Sequence, residues 1–189
     1  MIRPGNGVRM TGDLGTAAVP IFVGASEIIT EPLDDVIDSE NFTPRLLALL
    51  SNALVWRESR LLRREFNLGT NDWRVISALS IRPGATSSDI SEFVAMNKAV
   101  VSKSVNTLIA RELIVPADGA RGSRHLYLTR AGADMHDRMK PISMQGQEIV
   151  LADLSPDEVR QLNHLLTRLL QKTPELSRAG EEAALAEED

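Results

Sequence analysis

Apolar side chains recur along this chain in two rhythms, and the changes of rhythm mark its parts. From Asn41 to Phe66 the residues Leu46, Leu47, Leu49, Leu50, Ala53 and Leu54 recur at helical spacing but cover more than one face. A helix this apolar is wrapped on several sides, by its own domain or by a partner chain. Thr43 reads as its N-cap, with Pro44 in the first helical position. Arg57, Arg60, Arg63 and Arg64 gather toward its end, where positive charge suits the helix dipole, and Leu68-Gly69 ends it. Thr70–Arg82 predicts a shorter helix, capped by Thr70, with Trp73, Val75, Ile76 and Leu79 turned inward and Pro83-Gly84 as the breaker. Thr86-Ser87-Ser88-Asp89 opens a third helix in capping-box style, running to about Ala95 with Ile90, Phe93 and Val94 apolar. After Met96, Asn97 caps a fourth helix through about Glu112, its inner stripe being Val101, Val105, Leu108 and Ile109.

The rhythm then shortens. Leu113-Ile114-Val115 predicts a strand, Pro116 to Ser123 a turn, and Arg124–Thr129 a second strand in which Leu126 and Leu128 alternate with His125 and Tyr127. Helical spacing returns at Arg130 under a Thr129 cap and lasts to about Asp153, with a kink expected at Pro141 and Gly146. Ser155, Pro156 and Glu158 form a second capping box, followed by the stripe Val159, Leu162, Leu165, Leu166, Leu169 and Leu170 until Pro174.

The ends carry no sustained period. Residues 1–40 begin with Gly5, Gly7, Gly12 and Gly15 and offer one apolar patch around Ile21, Phe22 and Val23, so they read as a disordered leader or as an arm that docks on another subunit. Residues 174–189 read as an acidic, solvated tail.

Charge redraws this layout. The 189 residues sum to −5, yet residues 1–42 and residues 174–189 each contribute −5, which leaves +5 on residues 43–173. Residues 96–132 alone hold +4. Whole-chain acidity would argue against nucleic acid as a partner; the segment count restores it. No apolar run reaches the roughly 18 residues of a membrane span, and no signal peptide is evident, so a cytoplasmic location is expected.

Two helices joined by so short a turn predict a helix-turn-helix. The outward face of its second helix carries Asn97, Lys98, Ala99, Val100, Ser102, Lys103 and Asn106, with no acid among them. Small residues let a helix enter the major groove of DNA, about 12 Å wide, where Lys, Asn and Ser bond base edges or phosphates. Ser87 and Ser88, opening the first helix of the pair, are further candidates for phosphate contact. In the hairpin that follows, Arg121 and Arg124 stand at or near the tip, where an arginine can reach a minor groove.

These residues resemble the multiple antibiotic resistance regulator (MarR) family of bacterial winged helix-turn-helix regulators. The resemblance spans about residues 44–172. Its most specific part is Ile90–Ile114, where Asn97-Lys98-Ala99-Val100-Val101-Ser102-Lys103 matches the family's small polar residue, base and Thr/Ser-Val-Ser/Thr-Arg/Lys run. Asp118, Arg121 and Leu128-Thr129-Arg130-Ala131-Gly132 resemble the wing and its exit, Trp73-Arg74-Val75-Ile76 the second helix, and Asn52 a frequent first-helix asparagine. Two departures stand out: Glu112 occupies a position where the family usually has Gly, and Gly122, flanked by Arg121 and Arg124, occupies that of the wing arginine.

The resemblance implies a mainly α fold with a small β-hairpin wing, a winged helix-turn-helix with flanking dimerisation helices. Residues 41–66 and 133–173 would form the dimerisation region and residues 67–132 the DNA-binding lobe. It implies a homodimer on an imperfect palindromic operator of double-stranded DNA, with affinity that falls steeply with salt. It further implies a repressor released by a small aromatic carboxylate or phenol, with Arg45, Trp56 and Arg60 as candidate ligand residues. The alternatives are a winged-helix module that binds protein, or a regulator that needs no ligand.

The remaining chemistry is sparse. With no cysteine, disulfides, thiolate nucleophiles and thiol-oxidation switches are excluded. His125, His136 and His164 lack metal-ligand spacing, and no phosphate-cradling, dinucleotide or nucleophile-elbow motif occurs. An enzyme is not expected, nor a metal or cofactor.

Overall fold

The computed structural model describes residues 21–23, 26–119, 123–176 and 178. The chain divides into two units, Met1–Leu46 and Leu47–Asp189. In the first, strand β1 (Ile21–Val23) pairs antiparallel with β2 (Ser26–Ile28), Ile21 standing opposite Ile28. This hairpin corrects the expectation that residues 1–40 hold no element. Ile-Phe-Val suits a strand, but three residues are too few for a period to register. After β2, Asp38 organises the approach to the first helix: its carboxylate accepts from the Glu40 amide at 3.1 Å, the Asn41 amide at 3.3 Å and Asn41 Nδ2 at 2.7 Å. These bonds, led by that of the Asn41 side chain, hold the carboxyl below its ordinary value.

Among the described residues, helices α1 (Thr43–Phe66) to α6 (Pro156–Leu170) and a second hairpin follow. Helix α1 (Thr43–Phe66) begins at Thr43 itself, and the Phe42 carbonyl accepts the first helical bond from Leu46 at 3.2 Å, so Thr43 lies one residue inside its expected cap position. Its last turn closes on Asn67, which takes a left-handed φ of 51°. Helix α2 (Thr70–Ile81) likewise starts at the threonine expected to cap it; Gly69 is the N-cap. Helices α3 (Ser87–Phe93) and α4 (Lys98–Ala110) form the tight pair, capped by Thr86 and Asn97 as expected.

Strands β3 (Ile114–Asp118) and β4 (Arg124–Leu128) pair antiparallel from Ile114 opposite Leu128 to Asp118 opposite Arg124. Helix α5 (Arg130–Leu151) runs through Pro141, and helix α6 (Pro156–Leu170) closes the order, its Ser155 cap bonded both ways with Glu158. Residues 173–176 add one more helical turn.

The core sits where α2, α4, the hairpin and the first half of α5 meet. Ile76, Leu79, Ile90, Leu108 and Met139 are fully enclosed there, joined by Leu62 from α1. Gly132 is part of the same packing: a Cβ on it would strike the Leu113 carbonyl, so only glycine lets α5 start this close to the hairpin. Helix α6 contributes no buried residue despite its apolar stripe. Among the described residues, no helix is long and apolar enough to cross a membrane.

Candidate nucleic-acid interface

The turn between α3 and α4 is built by local bonds. Thr86 donates its amide and its hydroxyl to Asp89 Oδ2, both at 2.8 Å, and its Oγ1 accepts from the Asp89 amide at 3.3 Å. The bonds from Thr86, the backbone one first, hold the Asp89 carboxyl below its ordinary value. Helix α3 ends on Ala95 at φ 50°, with the Met96 amide bonded to the Ser91 carbonyl at 3.0 Å. The buried Ser91 hydroxyl donates back to the Met96 carbonyl at 2.6 Å. Asn97 Oδ1 then accepts from the Ala99 amide at 2.8 Å, so this side chain caps α4 rather than projecting a free acceptor.

With its start fixed, α4 sorts its residues by face. Val101, Ser104, Val105 and Leu108 are buried. Lys98, Ala99, Val100, Ser102, Lys103 and Asn106 are exposed, as the sequence predicts. Among the described residues, neither Lys98 nor Lys103 has an ion-pair partner. Ser88 is exposed and Ser87 half-buried on the first turn of α3. The acids Asp89 and Glu92 lie exposed on α3, so the helix pair is not uniformly basic, but α4 is.

The far end of α4 keeps a left-handed turn although Glu112 replaces the glycine usual in the resembled family. Glu112 adopts φ 57°, its amide bonds the Ile109 carbonyl at 2.9 Å, and the Leu113 amide bonds the Leu108 carbonyl at 3.0 Å. That pair of bonds is a Schellman closure. Thr129 locks the turn from the other side of the hairpin, its Oγ1 donating to the Glu112 carbonyl at 2.8 Å while accepting from the Gly132 amide at 3.0 Å.

The hairpin is anchored to the loop before α3. The Gly84 amide donates to the Leu126 carbonyl at 2.9 Å, and the Leu126 amide to the Ala85 carbonyl at 3.2 Å. His125 Nδ1 donates to the Gly84 carbonyl at 2.7 Å. Gly84, at φ 83°, leaves no room for a Cβ beneath the Tyr127 ring. Arg124 is exposed at the start of β4, opposite Asp118. Arg121 and Gly122 lie outside the described residues.

A cavity of about 540 Å³ opens between α1, α2, α5 and α6. Leu50, Leu54, Trp73, Ile142 and Leu166 give it apolar walls, and Arg57 and Arg74 bring positive charge. Arg57 is held in place by the Ile142 carbonyl at 3.1 Å and by Gln145 Oε1, and Ser143 bonds Glu58 beside it. The three residues proposed from sequence for a ligand do not line it. Arg45 bonds the Ser39 carbonyl at 2.9 Å, Trp56 is 69% exposed, and Arg60 is exposed. The helical spacing of α1 does mark Leu50 and Leu54, but which arginine joins them depends on where α5 packs. Among the described residues, no group of three or more His, Asp or Glu could hold a metal ion.

Comparison with known proteins bears on this geometry. A model of the MarR family matches residues 66–125, which hold α2, α3, α4, β3 and the start of β4. A MarR/EmrR family transcriptional regulator from Acinetobacter sp. ADP1 superimposes with a TM-score of 0.68 at 24% identity, over 74% of this chain and 99% of that one. MepR of S. aureus, solved as a DNA complex, gives 0.64 at 19% identity, over 72% and 99% of the two chains. The PcaV transcriptional regulator of Streptomyces coelicolor, solved with its natural ligand, gives 0.62 at 22% identity, over 74% and 99%. No curated protein matches the chain by sequence.

Proposed function

We propose that this chain is a regulator of the MarR family, a likeness carried by its winged-helix lobe, and that it acts as a homodimeric, sequence-specific DNA-binding repressor released by a small aromatic ligand. The observation that carries the DNA reading is the outer face of α4, where Lys98, Ala99, Ser102, Lys103 and Asn106 stand exposed with no acid among them. Lys98 and Lys103 meet phosphates or guanine edges, Ser102 and Asn106 base edges, and Ala99 and Val100 pack on thymine methyls. Ser87 and Ser88 meet the backbone at the start of α3, and Arg124, with Arg121, serves the neighbouring groove.

Dimerisation is supported by apolar surface that one chain leaves open. Leu46, Leu47, Leu49 and Leu50 of α1 and Leu165, Leu169 and Leu170 of α6 are each at least 40% exposed. A two-fold axis through these helices would set two copies of α4 on successive major grooves, so the operator is an imperfect palindrome.

The ligand reading rests on the 540 Å³ cavity, a volume suited to a small organic molecule. An aromatic ring fits against Trp73 and the leucines, and Arg74 pairs with a carboxylate. The sequence candidates Arg45, Trp56 and Arg60 are set aside in favour of Arg57 and Arg74.

Fluorescence anisotropy with an operator fragment tests the DNA reading. Lys103→Ala should weaken binding by about tenfold or more and shallow the salt dependence. Unchanged binding would remove α4 from the interface. A panel of aromatic acids should contain one that releases the operator from the parent protein but not from Arg74→Ala; release that ignores Arg74 would move the ligand elsewhere.

A further inference from the structure

A second cavity, about 620 Å³, lies between the end of α1, the start of α2 and the side of α4 that carries Val100, Lys103 and Thr107. Its character differs from the first. The N-cap of α2 is Gly69, which has no side chain to satisfy the free amides of the first turn. Arg63 stands over that glycine: the place a Cβ would occupy is 3.8 Å from Arg63 Nη2 and 3.8 Å from Asp72 Oδ2. Ser59 Oγ accepts from Arg63 Nε at 3.2 Å and steadies the guanidinium, and Lys103 lines the cavity from α4.

Thr70 supplies an independent sign. It is only 5% exposed, it lines this cavity, and its Oγ1 has no hydrogen-bond partner among the described residues. A buried hydroxyl left unmet is a standing cost to the fold. Thr70 Oγ1 is shielded from the cavity in this rotamer, and a step of about 120° in χ1 exchanges it with the methyl and brings it to a ligand oxygen at the α2 terminus. Asp72 also lines the cavity, but its carboxylate already accepts the Gly69 amide at 2.8 Å, which leaves two cations against one engaged acid.

We propose that this cavity binds a small phosphate monoester. The phosphate sits on the first-turn amides of α2 between Arg63 and Lys103, where a helix terminus and two cations favour a compact dianion. The polar lining from Asn67, Asn71 and Thr107 receives a hydroxylated body, unlike the aromatic one suited to the first cavity. Lys103 belongs to both this cavity and the outer face of α4. Occupancy draws its ammonium inward and weakens DNA binding, a consequence that rests on the DNA reading above.

The site is tested on DNA-free protein by thermal shift and calorimetry, with glucose 6-phosphate and inorganic phosphate at matched ionic strength and glucose as the neutral control. Both phosphates should raise the Tm and glucose should not. Arg63→Gln should weaken glucose 6-phosphate binding about tenfold or more. Thr70→Val should raise the Tm of the ligand-free protein and yet weaken phosphate binding. A merely unsatisfied hydroxyl would raise Tm with binding unchanged. No shift with either phosphate, or equal shifts in the parent and both variants, overturns the site. With duplex DNA selected from a random pool, glucose 6-phosphate should lower affinity for the parent protein and not for Arg63→Gln; binding of the sugar phosphate without that loss overturns the coupling. Protein that binds phosphate through Arg63 but binds no DNA would overturn the regulator reading and leave the site standing.

Discussion

Arg111 and Phe66 lie 45 residues apart in sequence, yet Arg111 Nη1 donates to the Phe66 carbonyl oxygen at 3.0 Å. The same nitrogen reaches the Asn67 carbonyl at 3.0 Å. The C-cap residue of α4 thus caps the C-terminal end of α1, where carbonyls lack helical partners and a cation suits the dipole. This one side chain ties the helix proposed to face DNA to the helix expected to lie at the dimer interface.

Arg111→Ala should therefore destabilise the protein by about 1 kcal/mol, a low value because the side chain is exposed. Urea denaturation reads that loss. It should also loosen the coupling between effector and operator, so an effector that releases the parent protein should shift the operator affinity of the variant less. Identical shifts would mean that the two helices communicate by another route.

The left-handed turn at Glu112 gives a prediction of opposite sign. A side chain at φ 57° carries a Cβ penalty of about 1 kcal/mol that glycine escapes. The bonds that close the turn use only main-chain atoms of residue 112, with Thr129 Oγ1 on its carbonyl at 2.8 Å. Glu112→Gly should keep them all and raise the Tm by a few degrees. It should also remove a negative charge from the lobe proposed to bind DNA. A lower Tm would show that the Glu112 side chain makes a compensating contact.

The capping boxes predict a pH response. Bonds from Thr86 lower the Asp89 carboxyl below its ordinary 3.8, and bonds from Ser155, its side chain first, lower that of Glu158 below 4.5. A carboxyl lowered on folding stabilises fully above its unfolded value, and that stability is lost as pH falls through the folded value. The parent protein should thus hold an advantage in Tm over Asp89→Asn at neutral pH that shrinks on acidification below about pH 4. A constant gap across that range would assign the effect to geometry rather than charge.

What the sequence predicts well is local. Thr86, Asn97, Thr129 and Ser155 cap the helices expected of them because a hydroxyl or carboxamide beside free amides needs no distant partner. The outer face of α4 is legible for the same reason, since helical spacing alone separates it from Val101, Val105 and Leu108. Thr43 and Thr70 miss by one residue, because backbone geometry rather than residue type decides where a helix begins. Strand β3 extends to Asp118 rather than stopping at Val115, since pairing with β4 carries Pro116 and Ala117 along whatever their propensity. The cavity cations were not legible. Arg57 is recruited by Ile142, 85 residues away, and nothing near Arg57 in sequence distinguishes it from Arg60.

Helix α6 offers the strongest test of assembly. It repeats leucine at helical spacing and buries none of it, Leu165 being 45% and Leu169 51% exposed. A stripe of this kind is costly to leave in water, and a two-fold interface would use each leucine twice. Burial of one leucine contributes about 1.5–3 kcal/mol, so Leu169→Glu should cost the dimer about 3–6 kcal/mol. That loss is a weakening of its dissociation constant by at least about a hundredfold. Sedimentation at micromolar concentration should then show monomer. The buried core of α2, α4 and the hairpin contains no α6 residue, so near-ultraviolet dichroism from Trp73 should persist in that monomer. Operator affinity should fall with the dimer, because a lone lobe reads one half-site and loses the second set of phosphate contacts. A variant that remains a dimer of undiminished strength would exclude this face of α6 and shift the interface to the leucines of α1.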